Sequence, residues 1–144
     1  MELKTVQFGT IDVTDDRIVT MPAGMPGFPD QKHFIVLELP RTRPFLWYQS
    51  VDDPGLAFSI IRPWLFVQDY SVDTSAVINE MGWDKSEESS LEVYVIVNAA
   101  GKSAEEITAN LMGPLLINPT RRQAAQFIIH NGSYSHEHPV FRRN

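Results

Sequence analysis

Residues 45–61 read FLWYQSVDDPGLAFSII, and this stretch predicts a β-hairpin. Two runs rich in aromatic and aliphatic residues, 45–50 and 56–61, flank Asp52-Asp53-Pro54-Gly55, which has the composition of a tight turn. Pro44 precedes the first run and Pro63 closes the second, so neither run is expected to extend further. This is the clearest hairpin in the chain, and it indicates a fold built of antiparallel strands.

The chain before this hairpin is also predicted to form short strands. Residues 6–8, 11–13, 17–21 and 34–39 either alternate apolar and polar side chains or are rich in β-branched residues. Prolines and glycines crowd residues 22–29, a composition that fits neither a regular helix nor a central strand. We therefore expect a structured loop there.

One helix is predicted after the hairpin, from Thr74 to Met81. Asp73 can accept hydrogen bonds from the amides of the first turn, and Gly82 can adopt the left-handed conformation that ends a helix. Residues 84–90 are polar and charged, so a loop is expected to follow the helix.

The second half of the chain is expected to return to strands. Residues 91–97 alternate regularly, 115–117 and 125–129 are short apolar runs, and Asn131-Gly132 predicts a turn. Ser103-Ala104-Glu105-Glu106 has the spacing of a helix capping box. Gly113-Pro114 follows so soon that we expect a turn and then a strand.

Together these patterns predict a mainly β fold. About ten short strands separated by proline and glycine turns are typical of a barrel or a sandwich. We favour a bent, barrel-like antiparallel β-sheet with one or two short helices. A parallel α/β fold would need crossover connections of about a dozen residues, for which the spacing leaves no room. The chain has 144 residues, the size of one domain, so residues 1–144 are expected to form a single domain.

Composition narrows the classes of function. The chain has no cysteine, which excludes disulfides, thiolate zinc sites and cysteine nucleophiles. Its formal net charge is −6, a balance that disfavours direct binding to nucleic acid and would attract a basic protein. No apolar run approaches the ~20 residues of a membrane-spanning helix, and residues 1–8 lack the apolar stretch of a signal peptide. These features predict a cytoplasmic protein without a membrane segment.

Catalytic motifs are absent from the sequence. There is no G-x-S-x-G nucleophile turn and no phosphate-binding P-loop. His136 and His138 would share a face if the tail were a strand, but two ligands are too few for a metal site. A metal-dependent hydrolase using these histidines and a small-ligand-binding β-barrel remain as alternatives to a protein-binding module.

Aromatic residues offer a further clue to a binding surface. Trp47 and Tyr48 are adjacent in a predicted strand, so one should face the core and the other should not. Trp64 follows Pro63 at the end of a strand, next to Leu65 and Phe66. It can serve as a lid over the end of a barrel or as an anchor for a partner.

Four segments spanning nearly the whole chain carry a family resemblance. They are Pro22-x-Gly24-x-x-Gly27-Phe28, then Pro44-Phe45-Leu46-Trp47-Tyr48-Gln49-Ser50 with Leu56-Ala57-Phe58, then Pro63 with Asp69-Tyr70, and finally Thr108-Ala109-Asn110-Leu111-x-x-Pro114-Leu115-x-Ile117-Asn118 with Gln123. The last segment is the most specific. In this order they resemble the flagellar assembly factor FliW family, although Met112-Gly113 stands where a basic residue and an alanine would be expected.

The resemblance implies a regulator of bacterial flagellum biogenesis. Members of the family bind CsrA, a basic RNA-binding translational repressor, and also flagellin, for which they act as a chaperone. Binding CsrA relieves the repression of flagellin synthesis, so translation follows filament assembly. The resemblance implies no enzymatic activity and no cofactor, and we expect a monomer.

Two sets of residues follow as candidates for function. Our candidates for contact with a partner are Asp69, Tyr70, Asp73, Glu80, Asp84, Glu87 and Glu88, together with Trp64. The residues of the family motifs are Phe45, Trp47, Gln49, Ser50, Asn110, Pro114, Asn118 and Gln123. For Asn110, Asn118 and Gln123 we favour hydrogen bonds to local backbone over contact with a partner. The acidic set can be a solvated surface or a site that attracts a basic repressor and repels RNA.

Overall fold

The computed structural model describes residues 1–99, 103–130 and 133–141. Short strands dominate it, as the sequence predicts. The strands are β1 Glu2–Thr5, β2 Gly9–Asp12, β3 Val19–Thr20, β4 His33–Leu37, β5 Leu46–Ser50, β6 Ala57–Ile61, β7 Glu92–Asn98, β8 Thr108–Ala109, β9 Leu115–Asn118, β10 Gln123–Gln126 and β11 His138–Pro139. The helix α1 spans Thr74–Met81, with the bounds that the sequence predicts.

Seven strands close into a barrel in the order β3, β4, β5, β6, β7, β9, β10 and back to β3. This confirms the predicted mainly β, barrel-like fold. The pairing of β10 with β3 is parallel, and the other six pairings are antiparallel. A closed ring with an odd number of strands cannot alternate direction throughout, so one parallel pairing is unavoidable.

The interior of the barrel is filled by side chains from alternate positions of the strands. The rings of Phe34 and Tyr48 stack at its centre with centroids 4.4 Å apart. Met25, from the loop at 22–29, is buried in the same cluster, so that loop packs into the barrel. Gly24 makes this loop possible, because it has φ +72° and an added Cβ would lie 2.3 Å from the carbonyl oxygen of Pro29.

Two apolar surfaces on the outside of the barrel are covered by other elements. The hairpin of β1 and β2 covers Ile35 and Trp47, and the ring of Trp47 lies 5.2 Å from that of Phe8. Helix α1 contributes to the second cover and packs Val77 and Ile78 into the cluster around β7. Trp47 therefore faces outward and Tyr48 inward, as the alternation predicts.

Four segments differ from the prediction. Residues 6–8 form a turn, because the hydroxyl of Thr5 accepts the Phe8 amide at 2.8 Å and donates to the Gly9 carbonyl at 2.7 Å. The strand predicted at 17–21 is shortened to Val19–Thr20 by a 3₁₀ turn at Asp15–Arg17. The last strand pair involves Gln123–Gln126 rather than 125–129.

The fourth difference is at residues 84–90. Lys85–Ser90 form a 3₁₀ helix instead of a loop, since Asp84 and Glu87 make a reciprocal capping box at its start. The prediction of a turn and then a strand after Ser103 is confirmed by the 3₁₀ turn Ala104–Glu106 and by β8. The turn predicted at Asn131-Gly132 lies outside the described residues.

Candidate functional site

An exposed run of carboxylates follows helix α1 and the chain on either side of it. We call it the acidic surface, and its members are Asp69, Asp73, Glu80 and Asp84. Lys85 is the only lysine or arginine in residues 63–98 of the sequence. Arg121 also acts on Asp84, from the turn between β9 and β10, but the carboxylates still outnumber these two cations. Their net field therefore attracts cationic groups and repels phosphates.

Local backbone fixes two of these carboxylates. Asp73 accepts a hydrogen bond from the Ala76 amide at 3.1 Å and so caps the start of α1, which Gly82 ends at φ +69°. Asp84 accepts the Ser86 amide at 2.9 Å, and hydrogen bonds from Ser86 lower the pKa of Asp84. Both side chains therefore hold a negative charge at a set position while remaining exposed.

Glu87 lies inside the protein, unlike the members of the acidic surface. Its carboxylate accepts the Asp84 amide at 2.9 Å, Nδ2 of Asn118 at 3.0 Å and Nε of Arg121 at 2.9 Å. Burial by itself would raise the pKa of Glu87, but these three hydrogen bonds outweigh it and lower the pKa. In the free chain Glu87 ties the 3₁₀ helix to the turn between β9 and β10. Glu88 beside it is half-buried.

We expect the Glu87→Gln variant to lose part of the acid dependence of stability. A carboxyl with a lowered pKa in the folded state stabilises the fold above its unfolded pKa, here near 4.5, and this contribution is lost as pH falls through the folded pKa. Urea unfolding of the wild type should therefore weaken on acidification below about pH 5 more steeply than that of Glu87→Gln. The control is Glu2→Gln on an exposed position of β1. Identical pH profiles for wild type and Glu87→Gln would contradict the assignment.

Tyr70 and Trp64 form an aromatic pair beside the acidic surface. Tyr70 is buried, and its hydroxyl donates to the Leu111 carbonyl at 2.7 Å. The indole N–H of Trp64 donates to the Tyr70 carbonyl at 2.9 Å, and the two rings meet edge to face. Trp64 thus covers Tyr70 like a lid, yet its side chain is still 43% exposed. The structure leaves Trp64, and not Tyr70, available to a partner.

Gln49 and Ser50, from the motif of the first hairpin, bind the turn that follows them. Nε2 of Gln49 lies 3.0 Å from the Ser50 carbonyl and 3.1 Å from the Leu56 carbonyl, and the residue is fully buried. The hydroxyl of Ser50 accepts the Asp53 amide at 3.0 Å. These polar side chains satisfy the backbone groups of a turn that is partly withdrawn from water.

The aromatic residues of the same motif have separate surroundings. Phe45 is half-buried, with its ring 6.0 Å from that of Phe141. The indole N–H of Trp47 donates to the hydroxyl of Thr42 at 3.1 Å. Each therefore has a contact within the chain.

Asn118 of the second motif bonds local backbone as predicted, whereas Gln123 bonds a distant side chain, so the prediction of a local backbone bond is wrong for Gln123. Asn118 accepts the Thr120 amide at 3.1 Å in the turn after β9, and Gln123 accepts the indole N–H of Trp83 at 2.7 Å. The carbonyl of buried Pro114 accepts the Phe127 amide at 3.0 Å. Trp83 and Arg121 have no local sequence pattern that indicates these bonds, because their partners are 40 and 34 residues away.

Replacing Asn110 by alanine should lower stability rather than affinity for a partner. Its Oδ1 accepts the amides of Met112 at 3.0 Å and Gly113 at 3.1 Å, and both would lose that acceptor. We expect a loss of about 1–2 kcal/mol in the free energy of unfolding, measured by urea denaturation. Asn110→Asp keeps an acceptor oxygen and should lose less. A drop in affinity at unchanged melting temperature would instead favour direct contact.

The two histidines of the metal alternative do not come together with other ligands. His138 lies in β11 against the ring of Phe66, whereas His136 precedes the strand with Nε2 3.8 Å from the Glu137 carboxylate. In residues 1–99, 103–130 and 133–141, no three His, Asp or Glu side chains are grouped so as to hold a metal ion. The proposed hydrolase chemistry thus has no ligand set in that part of the chain.

One end of the barrel opens into a cavity of about 560 Å³. The guanidinium of Arg62 lies 5.4 Å from the centre of the Tyr94 ring, and the Tyr94 hydroxyl donates to Glu92 at 2.7 Å. Deeper positions are occupied by the buried side chains of the interior. A guest of the small-ligand alternative would therefore sit at this mouth and not within the barrel. Within the same described residues, no helix has the length and apolar character needed to cross a membrane.

Comparisons with known proteins agree with the features of the fold and the motifs. The family model described as FliW protein matches residues 2–140. A protein of Natranaerobius thermophilus named flagellar assembly factor FliW is 34% identical over 141 residues, covering 98% of this chain and 93% of that protein. The protein of the same name from Bacillus subtilis strain 168 is 31% identical over 140 residues, covering 97% and 96%.

A solved structure gives the same result at the level of the fold. The crystal structure of the flagellar assembly factor FliW superposes with a TM-score of 0.87 at 31% sequence identity, covering 99% of this chain and 98% of that chain. The match of the family model, the full-length relatives and the shared barrel all describe one protein family. This chain belongs to the FliW family.

Proposed function

We propose that this chain is a flagellar assembly factor that binds and antagonises the repressor CsrA and also binds flagellin. Membership of the FliW family over residues 2–140 carries the proposal, and its relatives bear the name flagellar assembly factor. In this role the protein couples translation of flagellin to assembly of the filament. It acts as a single cytoplasmic domain, monomeric when free, and it catalyses no reaction.

Electrostatics supports CsrA as a partner. A repressor that grips RNA must present cationic groups, and a protein with a formal net charge of −6 attracts such groups at long range. The acidic surface concentrates that charge along α1, with Trp64 near one end as an exposed aromatic anchor. When CsrA docks there, the acidic surface brings a negative field close to the RNA site of CsrA. RNA would then be repelled even if its binding site on CsrA were not covered.

Co-purification tests the proposal directly. The tagged chain is mixed with CsrA and with flagellin of the same organism, and a hairpin RNA bound by CsrA is added as competitor. We expect the chain to retain both proteins and to release the RNA from CsrA. The proposal fails if neither protein is retained at micromolar concentration.

Native mass spectrometry of the free chain tests whether it is a monomer and whether it carries a small molecule. We expect one copy per particle and no added mass from a bound small molecule. A tightly bound guest would instead favour a role for the cavity at the mouth of the barrel.

A further inference from the structure

A groove runs along the outer edge of the last long strand of the barrel. The strand continues beyond β10 as an extended segment through Ile129, whose amide donates to the Met112 carbonyl at 2.7 Å. Two adjoining cavities lie along this edge, of about 300 Å³ beside Gln126 and about 400 Å³ beside Ile128. Met81 of α1 lines the first, and Val77 lines the second. We call these two cavities together the edge groove.

The backbone at the edge groove is turned toward the open space. The Phe127 and Ile129 amides bond to the neighbouring segment, at the carbonyls of Pro114 and Met112. In an antiparallel ladder such bonds occur at alternate residues, so the N–H and C=O groups of Gln126 and Ile128 point the other way. No backbone hydrogen bond joins the Ile128 amide to another described residue.

The barrel does not cover this edge itself. Strand β3 is the neighbour of β10 on that side, and its register with β10 is limited to the pair Thr20 and Gln123. Beyond that pair the chain of β3 leaves into the loop at 22–29, whose residues line the near cavity. Exposed strand edges of this kind accept an extended chain as an additional strand.

The walls of the edge groove define the chemistry of an occupant. Met81 lines the cavity beside Gln126, and Phe127 and the largely buried Val77 line the cavity beside Ile128. Asp73 is among the lining residues, and none of the lysines and arginines in the described part of the chain lines either cavity. An extended segment that alternates small apolar residues with cationic ones matches these walls.

We propose that the edge groove binds an extended, cationic segment of a protein partner by strand addition to residues 126–128. The segment pairs its backbone with Gln126 and Ile128, places apolar side chains against α1 and directs lysine or arginine toward Asp73. This inference concerns a surface and a mode of binding, and it goes beyond the proposed function because it holds for any partner that offers such a segment.

Synthetic peptides test the edge groove without a natural partner. The probe is an acetylated and amidated heptapeptide with alternating lysine and valine, and its twin carries glutamate in place of lysine. Isothermal titration calorimetry should show binding of the lysine peptide at least about tenfold tighter than of the twin. NMR hydrogen exchange should show new protection of the Ile128 amide. Absence of protection at Ile128 in the bound state would overturn the proposal.

Variants at one position separate backbone pairing from side-chain contact. Ile128→Pro removes the outward N–H, which bonds to no backbone carbonyl of the described residues, and proline is tolerated at such an edge. It should weaken the lysine peptide about tenfold, whereas Ile128→Ala keeps the N–H and should weaken it much less. Equal losses for both variants would show that strand addition is wrong. Circular dichroism of Ile128→Pro checks that the fold is kept.

Further measurements test the role of Asp73, a second copy of the chain as the occupant, and the independence of the edge groove from the proposed function. Asp73→Asn keeps the cap of α1 but removes the charge, so it should reduce the preference for lysine over glutamate. Sedimentation at rising concentration tests a second copy of the chain, and a dimer that Ile128→Pro abolishes would replace the peptide as occupant. Retention of CsrA and flagellin without peptide binding would reject the edge groove alone, and peptide binding without either protein would reject the proposed function alone.

Discussion

Replacing Tyr48 by alanine is expected to lower the free energy of unfolding by about 3–5 kcal/mol. Tyr48 is fully buried at the centre of the barrel, where its ring stacks on Phe34 with the two planes within 4°. Alanine would leave a cavity, and the closed ring of strands cannot contract to fill it. For a chain of this size the melting temperature should fall by roughly 6–20 °C, which calorimetry measures.

Tyr48→Phe is the matched control. The hydroxyl of Tyr48 is buried and has no hydrogen-bond partner among the described residues, so its removal costs no bond there. We expect this variant to be as stable as the wild type or somewhat more stable. A large loss of stability in Tyr48→Phe would show that the hydroxyl makes a hydrogen bond in solution. Ring packing would then not be the main contribution of Tyr48 to stability.

The second large effect is expected from neutralising the acidic surface. A combined Asp69→Asn, Asp73→Asn, Glu80→Gln and Asp84→Asn variant removes four exposed charges, and asparagine preserves both helix caps. We expect the association rate with CsrA to fall about tenfold at low salt, and the exclusion of RNA to fall further than binding does. Stopped-flow association and RNA competition measure the two quantities.

A control variant carries the same change of charge elsewhere. Glu2, Asp12, Asp30 and Glu38 are exposed and lie outside the chain around α1. Neutralising them should leave RNA exclusion nearly unchanged, because exposed charges beyond about 10 Å are screened. If the combined variant of the acidic surface lost binding and RNA exclusion equally, electrostatic repulsion would be contradicted as the mechanism.

Much of the local structure was predictable from the sequence because it depends on neighbouring residues. Helix α1 begins and ends at the predicted residues, since Asp73 and Gly82 supply both end signals. The hairpin of β5 and β6 follows from two apolar runs around one turn. Residues 6–8 were wrongly predicted as a strand, because the side chain of Thr5 stabilises a turn that their alternation conceals.

The candidate site was only partly predictable. The sequence indicated an acidic segment around α1, and the structure shows that several of its carboxylates are exposed and accessible to a partner. It did not separate Glu87 from Asp84, although one is buried against Arg121 and the other is exposed. Nor did it indicate the edge groove, because an open backbone edge is defined by which strands are absent beside it.

The sequence by itself determined most of the strands, the helix, the net charge and, through its motifs, the family. These properties reside in single residues or in residues a few positions apart. Only the tertiary structure decided the closure of seven strands, the parallel contact of β10 with β3 and the burial of Glu87 and Tyr70. Those features join segments far apart in the chain, so their free energy depends on packing that no local pattern encodes.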